Sequence, residues 1–389
     1  MARQLITGPN FSGRSDALRV RLTAGGPAFF VGPYAEAALS GLASTAADEL
    51  SVYRADTVPQ RAPFAPLDFE ACADRKPQSL SGGEQVLLAL QCFSQSTYGA
   101  IGIDTALEQL DGSNRSQAID FLSQLDAGEV TLIDNRMAAP PPGWSSTACT
   151  RGTPGFGCDL AGLMAGLGTR AAPRIVIRDL DFRYRRGVDV FTGAALTLEP
   201  GHAYRLFGRN GAGKTTLLKI LVGVLAPGRG EILLDDQPCA PWRHGNETFA
   251  LATQNPDHQW CGATLREDVG RRRAVLKTSV DASRVSDQQI AAAAQKLGIA
   301  SLDQHLYELP LAARKRLSWL WPLSGVMPWI MLDEPTVGQD RDTCTVLAAA
   351  LAVFCRHGYG VLFVTHDDEF AGQVPHRMVS IENRRMSTS

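Results

Sequence analysis

Gly208-Arg-Asn-Gly-Ala-Gly-Lys-Thr-Thr216 decides the fold of this chain. Two glycines separated by four residues and followed by Lys214 and Thr215 form the pattern of a phosphate-binding loop. Glycine lets successive backbone N–H groups turn inward around an anion, and a helix expected over 214–224 presents the positive end of its dipole to the same anion. In this pattern Lys214 reaches the β- and γ-phosphates and Thr215 ligates magnesium.

Downstream, Met331-Leu-Asp-Glu-Pro-Thr336 ends an apolar run that reads as a buried strand. Such a strand delivers Asp333 to the magnesium shell and sets Glu334 beside it to polarise the attacking water. A buried Asp-Glu pair is costly without a cation, which argues against a purely structural role. His366 follows another apolar strand, 33 positions after Asp333, where an imidazole can contact the γ-phosphate. Gln254, opening Gln254-Asn-Pro-Asp-His-Gln259, is a candidate sensor of the γ-phosphate or the water.

An internal repeat organises the rest. The interval from Leu80 to Asp104 is 24 positions, as is that from Leu309 to Asp333; Asp104 to Asp111 and Asp333 to Asp340 are each 7. The front portions differ, since Gly13 to Leu80 spans 67 positions and Gly213 to Leu309 spans 96. The first copy also has no room for a strand like Arg174-Ile-Val-Ile-Arg-Asp-Leu-Asp-Phe-Arg-Tyr184, so it reads as cut down. The expected organisation is a first domain over 1–137, a Pro/Gly-rich linker over 138–172 with one short helix near 160–167, and a second domain over 173–389.

The chemistry is divided between the copies. The first loop, Gly8-Pro-Asn-Phe-Ser-Gly-Arg-Ser-Asp16, has Arg14 in place of lysine and Asp16 in place of the second threonine. Arginine is a longer, planar fork, and an aspartate near the α-phosphate adds like-charge repulsion. Thr105 stands at the position of Glu334 and Asn135 at that of His366, and no Gln occurs around Val31-Gly-Pro-Tyr34. Conversely, the first copy carries Leu80-Ser-Gly-Gly-Glu-Gln85, and the second has Leu309-Pro-Leu-Ala-Ala313 there. Pro310 has no N–H and Leu311 is bulky, so the second segment is a poor phosphate contact.

At 389 residues the chain has room for about two to three domains of roughly 150 residues. With 38 basic against 40 acidic residues, nothing suggests a nucleic-acid groove. No apolar run approaches the roughly 20 residues that span a bilayer, and the N-terminus enters a motif too early for a signal peptide. Eight scattered cysteines, none in a C-x-x-C pair, point to a reducing cytoplasm without a zinc site.

These motifs resemble those of the ATP-binding cassette (ABC) ATPases, in which Leu80-Ser-Gly-Gly-Glu-Gln85 corresponds to the signature that grips ATP across a dimer interface. The resemblance implies an α/β P-loop NTPase fold in tandem: two RecA-like cores, each with a helical signature subdomain, the first truncated and degenerate. The second would add an antiparallel β subdomain with Tyr184 stacked on adenine. ATP and Mg2+ are the implied cofactors. Gly208, Asn210, Gly211, Gly213, Lys214, Thr215 and Thr216 would hold the nucleotide. Ser81, Gly82, Gly83, Glu84 and Asp111 would complete its site within an intramolecular pseudodimer. Glu334, His366 and Gln254 would act in catalysis, and Thr215, Gln254 and Asp333 would surround the metal.

The second half is also similar to the ATPases of energy-coupling-factor importers, through Gln254-Asn-Pro-Asp-His-Gln259 and Ala263-Thr-Leu-Arg-Glu-Asp-Val269. In those importers two cassettes drive a membrane coupling protein, which works with a small binding subunit for a vitamin or a metal ion. The expected function is therefore that of a transporter ATPase with one active and one degenerate site. It would lie in the cytoplasm, peripheral on the inner face of the membrane, bound to integral membrane subunits and not to nucleic acid. An exporter ATPase is the nearest alternative. A ribosome-associated protein would carry two intact signatures and a charged helical linker. A DNA-repair ATPase, suggested by Ile6-Thr-Gly-Pro-Asn10, would carry a coiled-coil insert.

Overall fold

Apolar runs of four or five residues, too short for buried helices, supply most strands of the two α/β sheets. The computed structural model describes residues 2–8, 10, 12, 14–24, 26–54, 64, 72–125, 128–149, 171–184, 189–244, 246–275, 286–296, 301–324 and 326–388. The chain divides into two compact units, Met1–Gly155 with Val337–Asp340, and Phe156–Thr336 with Arg341–Ser389. Gly13 and the short helix expected near 160–167 lie outside the described residues.

In the first unit, β1 (Arg3–Thr7), β2 (Ala28–Val31), β3 (Ala100–Asp104), β4 (Glu129–Ile133) and β5 (Ser145–Ala148) form a parallel sheet. Their order is β2-β3-β4-β1-β5. Leu5, Val31, Ile103 and Leu132 share its core with Val86, Leu90 and Phe93 of the helix Gly82–Gln95. Here the structure corrects the expected linker. Its first part belongs to this unit: Trp144 enters the core and β5 extends the sheet beside β1, with Gln4 opposite Ser145. All four β5 residues are exposed, so they lack the apolar alternation that marks a half-buried strand.

The second unit has two sheets. β6 (Ile175–Arg183), β7 (Asp189–Leu198), β9 (Arg229–Leu234) and β10 (Gln237–Cys239) form an antiparallel sheet in the order β10-β9-β6-β7. β8 (Ala203–Phe207), β11 (Phe249–Ala252), β12 (Trp329–Asp333), β13 (Gly360–Val364), β14 (His376–Glu382) and β15 (Arg385–Thr388) form the other. Its order is β11-β12-β13-β8-β14-β15, parallel except for the β14–β15 pair. The carboxyl ends of β8, β11, β12 and β13 therefore share one rim, where open α/β sheets bind ligands. Among the described residues no helix is long and apolar enough to cross a membrane.

The core of this sheet depends on Gly360, which pairs with Trp329 across β12 and β13. Trp329 is fully buried, its Nε1 donates to the Pro173 carbonyl at 2.8 Å, and a Cβ on Gly360 would fall 2.4 Å from its ring. Overpacking of this kind costs about 1–3 kcal/mol. Gly360→Ala should lower the thermal midpoint accordingly; an unchanged midpoint would show that the indole can move aside.

Candidate functional site

The phosphate loop connects β8 to the helix Lys214–Leu221. This helix stops short of the expected residue 224, because Val222 is its C-cap and Gly223 turns left-handed at φ 82°. At its start Gly213 has φ 107°, and a Cβ there would lie 2.6 Å from Val190 Cγ1. Glycine is required on both counts. Asn210 and Gly211 form the outer turn of the loop, whereas Lys214 and Thr216 are buried at its base.

Lys214 folds over its own loop, its Nζ donating to the carbonyls of Gly208 (2.7 Å) and Arg209 (3.1 Å). Thr215 Oγ1 donates to Asp333 Oδ2 at 2.8 Å, joining the two residues expected at the metal. The Tyr184 hydroxyl lies 3.0 Å from Thr216 Oγ1. Tyr184 is 38% exposed and its ring packs edge-on against Phe182, so an aromatic side chain stands beside the loop.

Asp333 ends β12, and burial pushes its carboxyl up from the ordinary range against the hydrogen bond from Thr215. The donor set suits a hard divalent cation, since hydroxyl and carboxylate oxygens already meet and a cation would favour the ionised carboxylate. Glu334 follows in a left-handed conformation, φ 46°, held by its N–H bond to the Val364 carbonyl at 3.0 Å. His366 N donates to Glu334 Oε2 at 3.2 Å, and His366 Nε2 lies 3.5 Å from Oε1. The structure thus brings Glu334 and His366 together, as it does Thr215 and Asp333.

Gln254 follows β11 on the same rim. Its loop is tied to the helix Leu311–Ser318 by Gln259 Nε2 to the Ser318 carbonyl (3.0 Å) and by the Arg314–Asp257 pair (3.0 Å). Lys315 was not singled out by sequence. It donates to the carbonyls of Thr253, Gln254 and Asp333, and burial pulls its ammonium down to about 7 against the raising effect of Asp333 and Glu334. Arg205 was also missed. It braces the turn before His366 through the Thr365 carbonyl (3.0 Å) and Asp368 (2.6 Å).

The first unit repeats much of this backbone with different chemistry. Thr105 has φ 57°, and its N–H bonds the Ile133 carbonyl at 2.8 Å. Ser15 hydrogen-bonds Asp104, whose carboxyl burial pushes up. Arg14 bridges Asn135 Oδ1 (2.7 Å) and Asn10 Oδ1 (2.8 Å), side-chain partners where Lys214 has loop carbonyls. Glu108, buried and raised to about 8 chiefly by desolvation, accepts from Asn135 N at 2.7 Å. It makes the bond that Glu334 makes to His366 N.

Ser81 caps the helix Gly82–Gln95 in a reciprocal box with Glu84, so Gly82 and Gly83 form its first turn. Pro310 caps Leu311–Ser318 without a side-chain bond. Asp111 caps the helix Gly112–Gln124, with Asn114 bonded to both of its oxygens (2.9 and 3.0 Å). Its local role is that of a cap.

A lysine-bearing phosphate loop, an oxygen pair suited to a divalent cation and an Asp-Glu strand end on one sheet rim define a P-loop ATPase site. Residues 191–337 match the ABC transporter family. A putative ABC transporter ATP-binding protein of Streptomyces coelicolor is 36% identical over 207 residues, covering 51% of this chain and 72% of the relative. The energy-coupling factor transporter ATP-binding protein of Thermotoga maritima is 31% identical over 201 residues, 51% of this chain and 74% of the relative. A putative ABC transporter ATP-binding protein of Treponema denticola is 26% identical over 348 residues, 82% of this chain and 69% of the relative. The chain belongs to the ABC transporter ATP-binding family, and its enzymatic activity is ATP hydrolysis.

Proposed function

We propose that this chain powers an energy-coupling-factor-type importer of a vitamin or metal ion from the cytoplasmic face of the membrane. In this reading it carries two cassettes and one hydrolytic site. The observation that carries the reading is the complementary loss: the second unit keeps Lys214, Glu334 and His366 but has Pro310 and Leu311, while the first keeps the Ser81 cap but has Arg14, Thr105 and Asn135. The common sheet order of the five strands β2-β3-β4-β1-β5 and β11-β12-β13-β8-β14 supports descent of both units from one cassette. So does the Treponema relative, whose match covers more of the chain than residues 173–389 can supply. The name of the Thermotoga relative and the 254–259 loop support the importer type.

In the proposed cycle, Tyr184 stacks on adenine and Lys214, with the loop 208–216, holds the phosphates. Thr215 and Asp333, joined by Gln254, would hold Mg2+, which when bound neutralises charge between the β- and γ-phosphates. Glu334 accepts a proton from water and His366 contacts the γ-phosphate. Ser81, Gly82, Gly83, Glu84 and Asp111 would contribute to the nucleotide site, the first four through a helix N-terminus. Opening and closing would pass through the segment 254–268 to the membrane subunits.

Purification of the full chain with its membrane partners tests this function. The Glu334→Gln complex should contain an integral membrane coupling protein and one tightly held ATP per chain. Two ATP molecules held equally well, or no membrane protein in the complex, would overturn the proposal.

A further inference from the structure

Lys315 is 1% exposed on the helix Leu311–Ser318, which Pro310 caps. Its ammonium has three N–H bonds to donate, and three backbone carbonyls receive them: Thr253 at 3.0 Å, Gln254 at 2.7 Å and Asp333 at 3.4 Å. The first two begin the Gln254 loop, whereas the third ends β12 immediately before Glu334. Burying an ammonium is costly unless its hydrogen bonds are satisfied. Tying the loop to the helix does not require it, because Gln259 and Arg314 already make that connection. What Lys315 adds is the catalytic strand.

We propose that Lys315 is a positioning residue for hydrolysis, fixing the spacing of the Gln254 loop against the Asp333–Glu334 strand end from the helix Leu311–Ser318. The inference rests on the reading of Asp333 and Glu334 as the hydrolytic pair. The hydrogen bonds of Lys315 go to main-chain carbonyls and not to the carboxylates of Asp333 and Glu334. It holds the backbone from which those side chains project, so its removal acts on the chemical step more than on nucleotide affinity.

The test compares Lys315→Gln, Lys315→Met and Arg314→Gln in the full chain within its membrane complex. Thermal midpoint, mantATP affinity, kcat and KM for ATP are measured for each. Lys315→Gln should lower kcat by about tenfold or more and Lys315→Met further, with mantATP affinity within about threefold of the parent. Arg314→Gln, which loosens the loop without reaching Asp333, should change kcat by less than about threefold. Equal kcat losses at Arg314 and Lys315, a higher KM with kcat preserved, or failure of Lys315→Gln to fold where Arg314→Gln folds would make Lys315 merely structural. Near-normal turnover in Glu334→Gln would instead remove the reading on which the inference stands.

Discussion

Glu334→Gln should hydrolyse ATP about 10² to 10⁴ times more slowly than the parent, the range expected for lost general-base help, while still binding it. Glu334 is 4% exposed and its backbone is fixed by the bond to the Val364 carbonyl. Glutamine has the same length, can still accept from His366 N, and does not alter the left-handed turn. What disappears is the charged acceptor proposed for the water proton. Single-turnover rates beside ATP dissociation constants separate the two effects. A loss of binding equal to the loss of rate would show that Glu334 holds the nucleotide, and near-normal hydrolysis would place the base elsewhere.

A second large effect is expected in the unit whose own loop lacks the lysine. Gly83→Asp should abolish hydrolysis, because the proposed composite site would bring its carboxylate against the γ-phosphate. Ala312→Asp should cost far less. Gly83 and Ala312 are each the second residue of a helix, where an aspartate interacts favourably with the dipole, but Gly83 is buried and Ala312 half-buried, so folding has to be controlled in the comparison. ATPase rates of the complete complex, compared between variants of equal thermal midpoint, decide the matter. Equal losses, or surviving activity in Gly83→Asp, would sink the one-live-site proposal.

The parts of this molecule legible from sequence are those whose chemistry is local. Gly208 to Thr216 announces a loop because glycines, lysine and threonine act within one turn, and Asp333-Glu334 announces a strand end because apolar residues precede it. Lys315 gives no such signal. Its partners are main-chain carbonyls 62, 61 and 18 positions away, and no side-chain pattern encodes them. The β5 edge strand was hidden for the opposite reason: Ser145, Ser146, Thr147 and Ala148 face solvent and follow three prolines, so they read as tether until β1 supplies the pairing. The end of the helix at Leu221 was missed because Val222 and Val224 continue the apolar run past Gly223.

Thr105 sits in a left-handed turn at φ 57°. A β-branched residue resists this conformation, which for ordinary L-residues costs roughly 1–2 kcal/mol. The turn nevertheless persists with its carbonyl partner although Thr105 cannot serve as a base near neutral pH. In the proposed two-cassette reading, the first unit keeps the mould of a site without its casting. On that reading the difference lies in side-chain chemistry alone, because the backbone turns at residue 105 as it does at Glu334, each N–H bonded to the carbonyl of a neighbouring strand.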